Sequence, residues 1–238
     1  LVRFYRDRSR LIGARTPPIV FWFLIGSGLG GSFQMPGQGS GMNYLQYFFS
    51  GTLVLIVLFT SVFSTISIIE DRREGFMQTI LVAPVPRLSL VTGKILGAST
   101  VGFLQGVTFL VFAGTIGLPT TFSGYLLAAL ALFLASVGLT GIGFCLAWTL
   151  DSTQGFHAVM NLFLIPMWML SGSLFPSATA PQWLKLVIMV NPVTYAVAAT
   201  RWALHGASPL ALAPSLCLAA LTLFTVAALA AALRVARA

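Results

Sequence analysis

The chain has 238 residues, of which 57% are hydrophobic and 8% are charged. A soluble domain carries about 25% charged residues and could not bury this much apolar surface, so the composition excludes a soluble globular fold. The formal net charge is +8, but the basic residues are few and lie between apolar runs. We interpret them as topology signals and as contacts with anionic lipid headgroups, and we expect no nucleic-acid partner.

Apolar runs long enough to cross a bilayer occur six times along the chain. A helix needs about 20 predominantly apolar residues to span the hydrocarbon core. The sequence therefore predicts an all-α integral membrane protein that forms a single transmembrane domain over residues 1–238. Its predicted spans are 17–33, 46–69, 95–118, 125–150, 157–174 and 209–233.

Lysine and arginine residues are distributed unequally between the two sides of this predicted domain. With both termini inside, eleven basic residues face the cytoplasm, whereas Lys185 and Arg201 lie on the outer side. Cytoplasmic segments carry the excess of positive charge in membrane proteins. We therefore predict a multi-pass protein of the inner (plasma) membrane with both termini in the cytoplasm.

Residues 1–16 alternate basic and apolar side chains before the first predicted span. This pattern is typical of a short helix that lies in the membrane interface. A plain basic flank that only sets orientation is the alternative. The chain does not begin with Met, and we expect that residues precede Leu1 in the native protein.

The inner segment 70–94 is longer than a connection between two spans requires. It begins with a run of charged residues, continues with a short amphipathic run from Phe76 to Val82, and is then broken by Pro84-Val85-Pro86. At helical spacing, Phe76 and Ile80 share one face. A helix this short is marginal alone, so we predict that it docks on a cytoplasmic partner. An ordinary charged hairpin loop is the alternative.

The outer segment 175–208 is too apolar for a solvated loop, yet prolines and Lys185 interrupt it. We predict two short helices, about 181–190 and 193–204, that dip into the outer leaflet as a re-entrant hairpin. Asn191-Pro192 would form the turn between them, because the residue before a proline avoids the helical region.

Arg201 lies on the returning arm of this hairpin. A guanidinium at that depth costs a few kcal/mol unless it reaches the surface or finds a partner. The predicted outer side contains no acidic residue. We therefore expect Arg201 to bind backbone carbonyls at broken helix ends, or lipid phosphate, and to act as a structural or gating residue.

Glycines cluster in the first and fourth predicted spans, where they would allow neighbouring helices to approach closely. We expect this packing to lie within one subunit, and a moving seam between two copies is the alternative. The residues are Gly26, Gly28, Gly30 and Gly31 in the first span, and Gly138, Gly141 and Gly143 in the fourth.

Two stretches resemble the signature of type-2 ATP-binding-cassette export permeases. The run EDRREG…QTILVAPVPRLSLVTGKIL is similar to the inner-loop pattern of that family, and NPVTYAVAATRWALHG is similar to its outer Asn-Pro-x-x-Tyr-x-x-x-x-x-Arg element. The order of the motifs and the topology also match, so the resemblance covers the whole chain. The inner matches are Glu70, Arg73, Glu74, Gly75, Thr79, Leu81, Pro84, Arg87, Gly93 and Lys94, and the outer matches are Asn191, Pro192, Tyr195 and Arg201.

The resemblance implies a permease subunit of an ATP-driven exporter. Two permease copies, as a homodimer in membrane lipid, would form the path, and two copies of a cytoplasmic ATPase that binds ATP and Mg would drive it. Residues 1–16 would be an elbow helix and residues 70–82 a coupling helix. The implied coupling residues are Glu70, Arg73, Glu74, Gly75, Phe76, Thr79, Ile80 and Pro84, and the implied outer gating residues are Asn191, Pro192, Tyr195 and Arg201.

The chain itself contains no Gly-x-x-x-x-Gly-Lys-Ser/Thr loop, so we expect no bound cofactor and no ATP hydrolysis in this subunit. We also expect no metal site and no catalytic residues, since no metal-binding or catalytic constellation is evident. The charge-free spans favour an amphipathic, lipid-like or drug-like cargo. An ion-gradient-driven secondary transporter is one alternative, although it usually needs a charged residue near the middle of a span. A membrane scaffold subunit is another.

Overall fold

A computed structural model describes residues 20, 22–26, 28, 43–75, 87–118, 120–175, 180–206 and 213–237. The regular structure of these residues is helical. In chain order the helices are α1 (Tyr44–Phe63), α2 (Ile66–Arg73), α3 (Arg87–Leu110), a 3-10 helix (Val111–Ile116), α4 (Phe122–Thr149), α5 (Thr153–Trp168), a π-helical turn (Met169–Ser173), α6 (Gln182–Val190), α7 (Pro192–His205) and α8 (Pro214–Val235). Val20, residues 22–26 and Gly28 are also helical.

Five helical segments within the described ranges are long and apolar enough to cross a membrane. The bent pair α6 and α7 makes a sixth if it is counted as one span. These findings confirm the prediction of an all-helical membrane protein. The five segments correspond to five of the six predicted spans, and most residues of the sixth, 17–33, lie outside the described residues. The five segments are Tyr44–Arg73, Leu88–Ile116, Phe122–Thr149, Thr153–Ser173 and Pro214–Val235.

The long helices alternate in direction, which places their termini at two opposite ends. Lys94, near the start of α3, pairs with Asp71 at the end of α2. At the other end, the Gln46 amide in the first turn of α1 donates to the Ile116 carbonyl after α3, at 3.0 Å. We call the two ends the charged end, with Asp71, Arg72, Lys94 and Asp151, and the Arg201 end, with Tyr47, Gly172 and Arg201.

The helix α1 lies at the centre of the bundle and contacts α3, α4, α5 and α7. It is separated from α2 by a break at Ser64 and Thr65, where side-chain hydroxyls donate to the Thr60 and Val62 carbonyls, both at 2.6 Å. Hydroxyls that bond to preceding carbonyls in this way compete with the backbone ladder and bend helices. The second predicted span, 46–69, is therefore two helices in line.

The glycines of α4 pack against other helices of the same chain. A Cβ at Gly138 would lie 2.6 Å from the Phe224 ring, and one at Gly141 would lie 3.1 Å from the Ala228 backbone, both in α8. On another side of α4, a Cβ at Gly143 would lie 2.9 Å from the Thr65 hydroxyl. These glycines therefore serve close packing within one subunit, as expected.

Helix bounds in the inner segment differ from the sequence-based bounds. The third span was predicted to begin at Ile95, but α3 begins at Arg87, and residues 70–73 form the last turn of α2. The predicted loop 70–94 is therefore helical at both of its ends. The pairing of Lys94 with Asp71 explains the extension, because it allows charged residues to lie within helices.

Some residues of the first predicted span, 17–33, lie within the described part of the chain. Of these, Trp22 packs beside the start of α1. The Trp22 indole donates to the Leu45 carbonyl at 3.2 Å, and its ring contacts Phe49 and Phe109. Aromatic packing against α1 and α3 therefore holds Trp22 at the Arg201 end.

The Gly124→Ala substitution tests the close approach of α4 and α7. A Cβ at Gly124 would lie 2.3 Å from the Ala203 carbonyl oxygen. Since a backbone oxygen cannot rotate away, we expect a loss of about 1–3 kcal/mol in the free energy of unfolding, measured as a lower thermal midpoint in detergent. Gly97→Ala is the control, because nothing lies within 4 Å of its Cβ. An unchanged midpoint for Gly124→Ala would contradict the described packing.

Candidate coupling and gating sites

The charged end is held together by the residues that end α2. Asp71 is 6% exposed, and its carboxylate accepts a hydrogen bond from the Lys94 ammonium of α3. A buried carboxylate is costly without a partner, so this ion pair fixes the position of α2 against α3.

Arg72 joins α2 to the C-terminus of α4. Its guanidinium donates to the Ala147 and Trp148 carbonyls, both at 2.7 Å, and to the Asp151 carboxylate at 2.9 Å. The last carbonyls of a helix lack partners within the helix and carry partial negative charge. Arg72 therefore caps α4 from a neighbouring helix, and Arg73 adds a hydrogen bond to the Asp151 carbonyl at 2.9 Å.

The structure changes the interpretation of the predicted coupling residues. Glu70 and Arg73 were predicted to belong to a separate coupling helix, but they lie in α2, directly after the second span, and Glu74 and Gly75 follow its end. Arg73 and Glu74 are exposed. The other four predicted coupling residues, Phe76, Thr79, Ile80 and Pro84, lie outside the described residues.

At the opposite end, Arg201 of α7 is buried, with 3% of its surface exposed. Its two terminal nitrogens each lie 3.2 Å from the Gly172 carbonyl oxygen, and one donates to the Tyr47 carbonyl at 3.4 Å. The guanidinium carbon lies 3.9 Å from the centroid of the Tyr47 ring. Of the two kinds of partner expected for Arg201, backbone carbonyls and lipid phosphate, the structure shows backbone carbonyls, and Gly172 lies at a helix break.

Gly172 supplies this carbonyl because the helix changes geometry there. Its φ is +77° inside the π-helical turn that follows α5, a conformation that glycine adopts without steric cost. The Tyr47 hydroxyl donates to the same carbonyl at 2.9 Å. One oxygen thus accepts hydrogen bonds from side chains of both α1 and α7.

Asn191, Pro192 and Tyr195 shape the bend between α6 and α7. The helices meet at 87°, the Asn191 side chain accepts from the Val193 amide at 3.0 Å, and Pro192 occupies the first helical turn. The Asn191 amide also donates to the Met167 carbonyl of α5. Tyr195, which is half-buried, donates its hydroxyl to the Met189 carbonyl at 2.7 Å. These three residues therefore set the angle between α6 and α7, and with it the position of Arg201.

Sequence reasoning missed the partners of the predicted residues. Tyr47 and Gly172 were not singled out, although the Ser-Gly-Ser sequence near the end of the fifth predicted span is a signal for a helix break. Asp71 was not predicted as a partner of Lys94, and Asp151 was not predicted as a partner of Arg72. No sequence pattern indicates such pairs, because each joins residues from different helices.

These two sites hold helices together. Within the described ranges, no group of three His, Cys, Asp or Glu residues could hold a metal ion. Charged residues join three helices at one end, and a buried arginine joins three elements at the other. The fold and the two sites define a polytopic helical membrane protein. A separate set of residues joins its helices at each end.

Comparison with known proteins gives the family. The model of the ABC-2 type transporter family matches residues 1–205, and the chain belongs to this family. Permeases of this family normally work with an ATPase subunit.

Several curated proteins are similar to the chain. The chain is 30% identical to a putative transport permease, ycf38, of Cyanophora paradoxa, over 67% of this chain and 56% of the relative. It is 26% identical to nodulation protein J of Rhizobium meliloti (strain 1021), over 85% of this chain and 76% of the relative. It is 23% identical to the daunorubicin resistance ABC transporter permease protein DrrB1 of Streptomyces coeruleorubidus, over 87% and 72%. The chain thus spans little more than half the length of the ycf38 relative.

Replacing Lys94 tests the ion pair at the charged end. Lys94→Met leaves the Asp71 carboxylate buried without its cation, so we expect a loss of roughly 2–3 kcal/mol in the free energy of unfolding. The measurement is thermal or denaturant unfolding in detergent. Lys185→Met on α6, at the opposite end, is the matched control and should be nearly neutral. The double variant Asp71→Asn/Lys94→Met should recover much of the loss, and a double variant no more stable than Lys94→Met would contradict the pairing.

Proposed function

We propose that the chain is the transmembrane permease subunit of an ATP-driven ABC exporter that moves an amphipathic, lipid-like or drug-like substrate. It works with two copies of a separate cytoplasmic ATPase subunit, which binds ATP and Mg, and with a second copy of itself. The family assignment and the two drug-resistance permeases among its relatives, for daunorubicin and linearmycin, support this proposal.

The observation that carries the proposal is the way α2 is fixed at the charged end. Asp71, Arg72 and Arg73 are consecutive, and they bind Lys94 of α3 and the C-terminal region of α4. The end of α2 is therefore joined to both α3 and α4. A force applied by an ATPase to the chain beyond α2 would move α2, α3 and α4 together, as a coupling element requires.

The proposed topology places the charged end and both termini in the cytoplasm of the inner membrane. The described acidic residues and most described basic residues lie at the charged end, whereas Arg201 and Lys185 lie at the other. This distribution agrees with the positive-inside rule. In this topology α6 and α7 form the proposed re-entrant hairpin on the outer side, with Asn191-Pro192 as the turn at its deepest point.

The central experiment tests the coupling segment. Glu74→Arg and Phe76→Ala should each weaken assembly with the ATPase by about tenfold or more in affinity, because docking energy concentrates in a few anchors and charges. The tagged chain is co-purified with its ATPase, and cargo-stimulated ATP hydrolysis is measured in proteoliposomes. Lys185→Glu reverses a charge at the opposite end and should leave assembly unchanged.

If both variants assemble with the ATPase and stimulate it like the parent, the segment is an ordinary connection. If no ATPase co-purifies with the parent and transport does not depend on ATP, the proposed function is wrong.

A separate variant tests the gating role of Arg201. Arg201→Ala removes the hydrogen bonds to Gly172 and Tyr47 and should lower transport by roughly tenfold, the effect expected from about 1.4 kcal/mol. The loss should be similar for every cargo, and assembly with the ATPase should survive. Transport assays with two unrelated amphiphilic cargoes measure this. Selective loss of one cargo, with the other transported normally, would show that Arg201 reads the substrate.

A further inference from the structure

The charge of Arg201 is compensated in an unusual way. The described acidic residues, Glu70, Asp71, Glu74 and Asp151, are placed at the charged end by their chain positions and contacts. Arg201 is instead surrounded by two backbone carbonyls and the face of the Tyr47 ring. Its Nε is buried and has no hydrogen-bond partner among the described residues. The positive charge is thus held by dipoles and a ring quadrupole.

Three separate parts of the chain meet at this point. Tyr47 comes from α1, Gly172 from the turn after α5, and Arg201 from α7. The Gly172 carbonyl receives the Tyr47 hydroxyl at 2.9 Å and both terminal nitrogens of Arg201 at 3.2 Å. If α7 moves away from α5, Arg201 loses its main acceptor at once, and the remaining guanidinium must be hydrated.

We infer that Tyr47, the Gly172 carbonyl and Arg201 form a latch that keeps the Arg201 end closed. Tyr47 is its positioning residue, because its hydroxyl and its ring bind both other members. The latch has two discrete states, since a half-released guanidinium would be buried without partners. Release lets water reach the α1–α7 interface. The inference rests on the proposed function in assuming that this end opens for export.

Accessibility of an engineered cysteine measures the opening directly. Ala198, on α7 and three residues before Arg201, is 1% exposed. Ala198→Cys is introduced into the full-length chain in a Cys145→Ala/Cys217→Ala background, which removes both native cysteines. The rate of labelling by a membrane-impermeant maleimide is measured in intact cells without added cargo.

Tyr47→Phe removes one hydroxyl and keeps the ring, and it should raise the labelling rate about fivefold, the factor given by one ordinary hydrogen bond. Tyr44→Phe is the matched control. Tyr44 lies on the same helix and its hydroxyl donates to the Leu174 carbonyl at 3.1 Å, two residues beyond Gly172. The control should label at the parent rate.

A second pair of variants tests the acceptor. Gly172→Ala has open space for its Cβ but requires a non-glycine residue at φ +77°, so it should turn the carbonyl away and raise labelling. Gly97→Ala is the control: Gly97 is helical and its Cβ would also meet nothing within 4 Å, so this variant should label at the parent rate. Monodisperse elution in detergent is required of each variant that is compared.

Parent-like labelling of both Tyr47→Phe and Gly172→Ala would overturn the latch. So would a rise in Tyr44→Phe equal to that in Tyr47→Phe, because it would show general loosening of α1. The assay adds no cargo, and its readout is cysteine labelling and not ATP hydrolysis or transport. A negative result therefore rejects the latch alone, whereas failure of ATPase co-purification rejects the proposed function alone.

Discussion

The fold depends on one constraint: in hydrocarbon, each backbone carbonyl and amide must find a partner within the protein. Helix ends are where this constraint is hardest to meet, because their last carbonyls have no partner in the same helix. At two such ends the partner is an arginine from a neighbouring helix. Arg72 binds the end of α4, and Arg201 binds the turn after α5. A cation at a helix C-terminus also interacts favourably with the helix dipole.

The two arginines differ in how their charge is balanced. Arg72 also has a carboxylate partner, Asp151, but the Asp151 side chain is 89% exposed, so that ion pair adds little and the carbonyl contacts matter more. Arg201 is buried and is held by carbonyls and an aromatic ring. The first arrangement tolerates water and suits a permanent joint. The contacts of Arg201 are stable only while water is excluded from them. They are therefore sensitive to a movement of α7.

The helices α1 and α2 connect the sites of Arg201 and Arg72. Tyr47 lies near the start of α1, and Asp71 and Arg72 lie in the last turn of α2, so the two sites share one nearly continuous segment. The break at Ser64 and Thr65 lies between the two sites. Hydroxyl-to-carbonyl bonds at the break satisfy the backbone while allowing the axis to bend.

The sequence by itself determined the class, the number of spans and the unusual position of Arg201. Those features depend on apolar length and on charge, which act locally along the chain. The Asn191-Pro192 turn was also predictable, because proline restricts its neighbour directly. Only the tertiary structure decided which residues the arginines bind. The Gly172 carbonyl, the Tyr47 ring and the Lys94–Asp71 pair come together because helices distant in sequence pack side by side, and no local pattern encodes that distance. The same kind of packing brings Trp22 against Phe49 of α1.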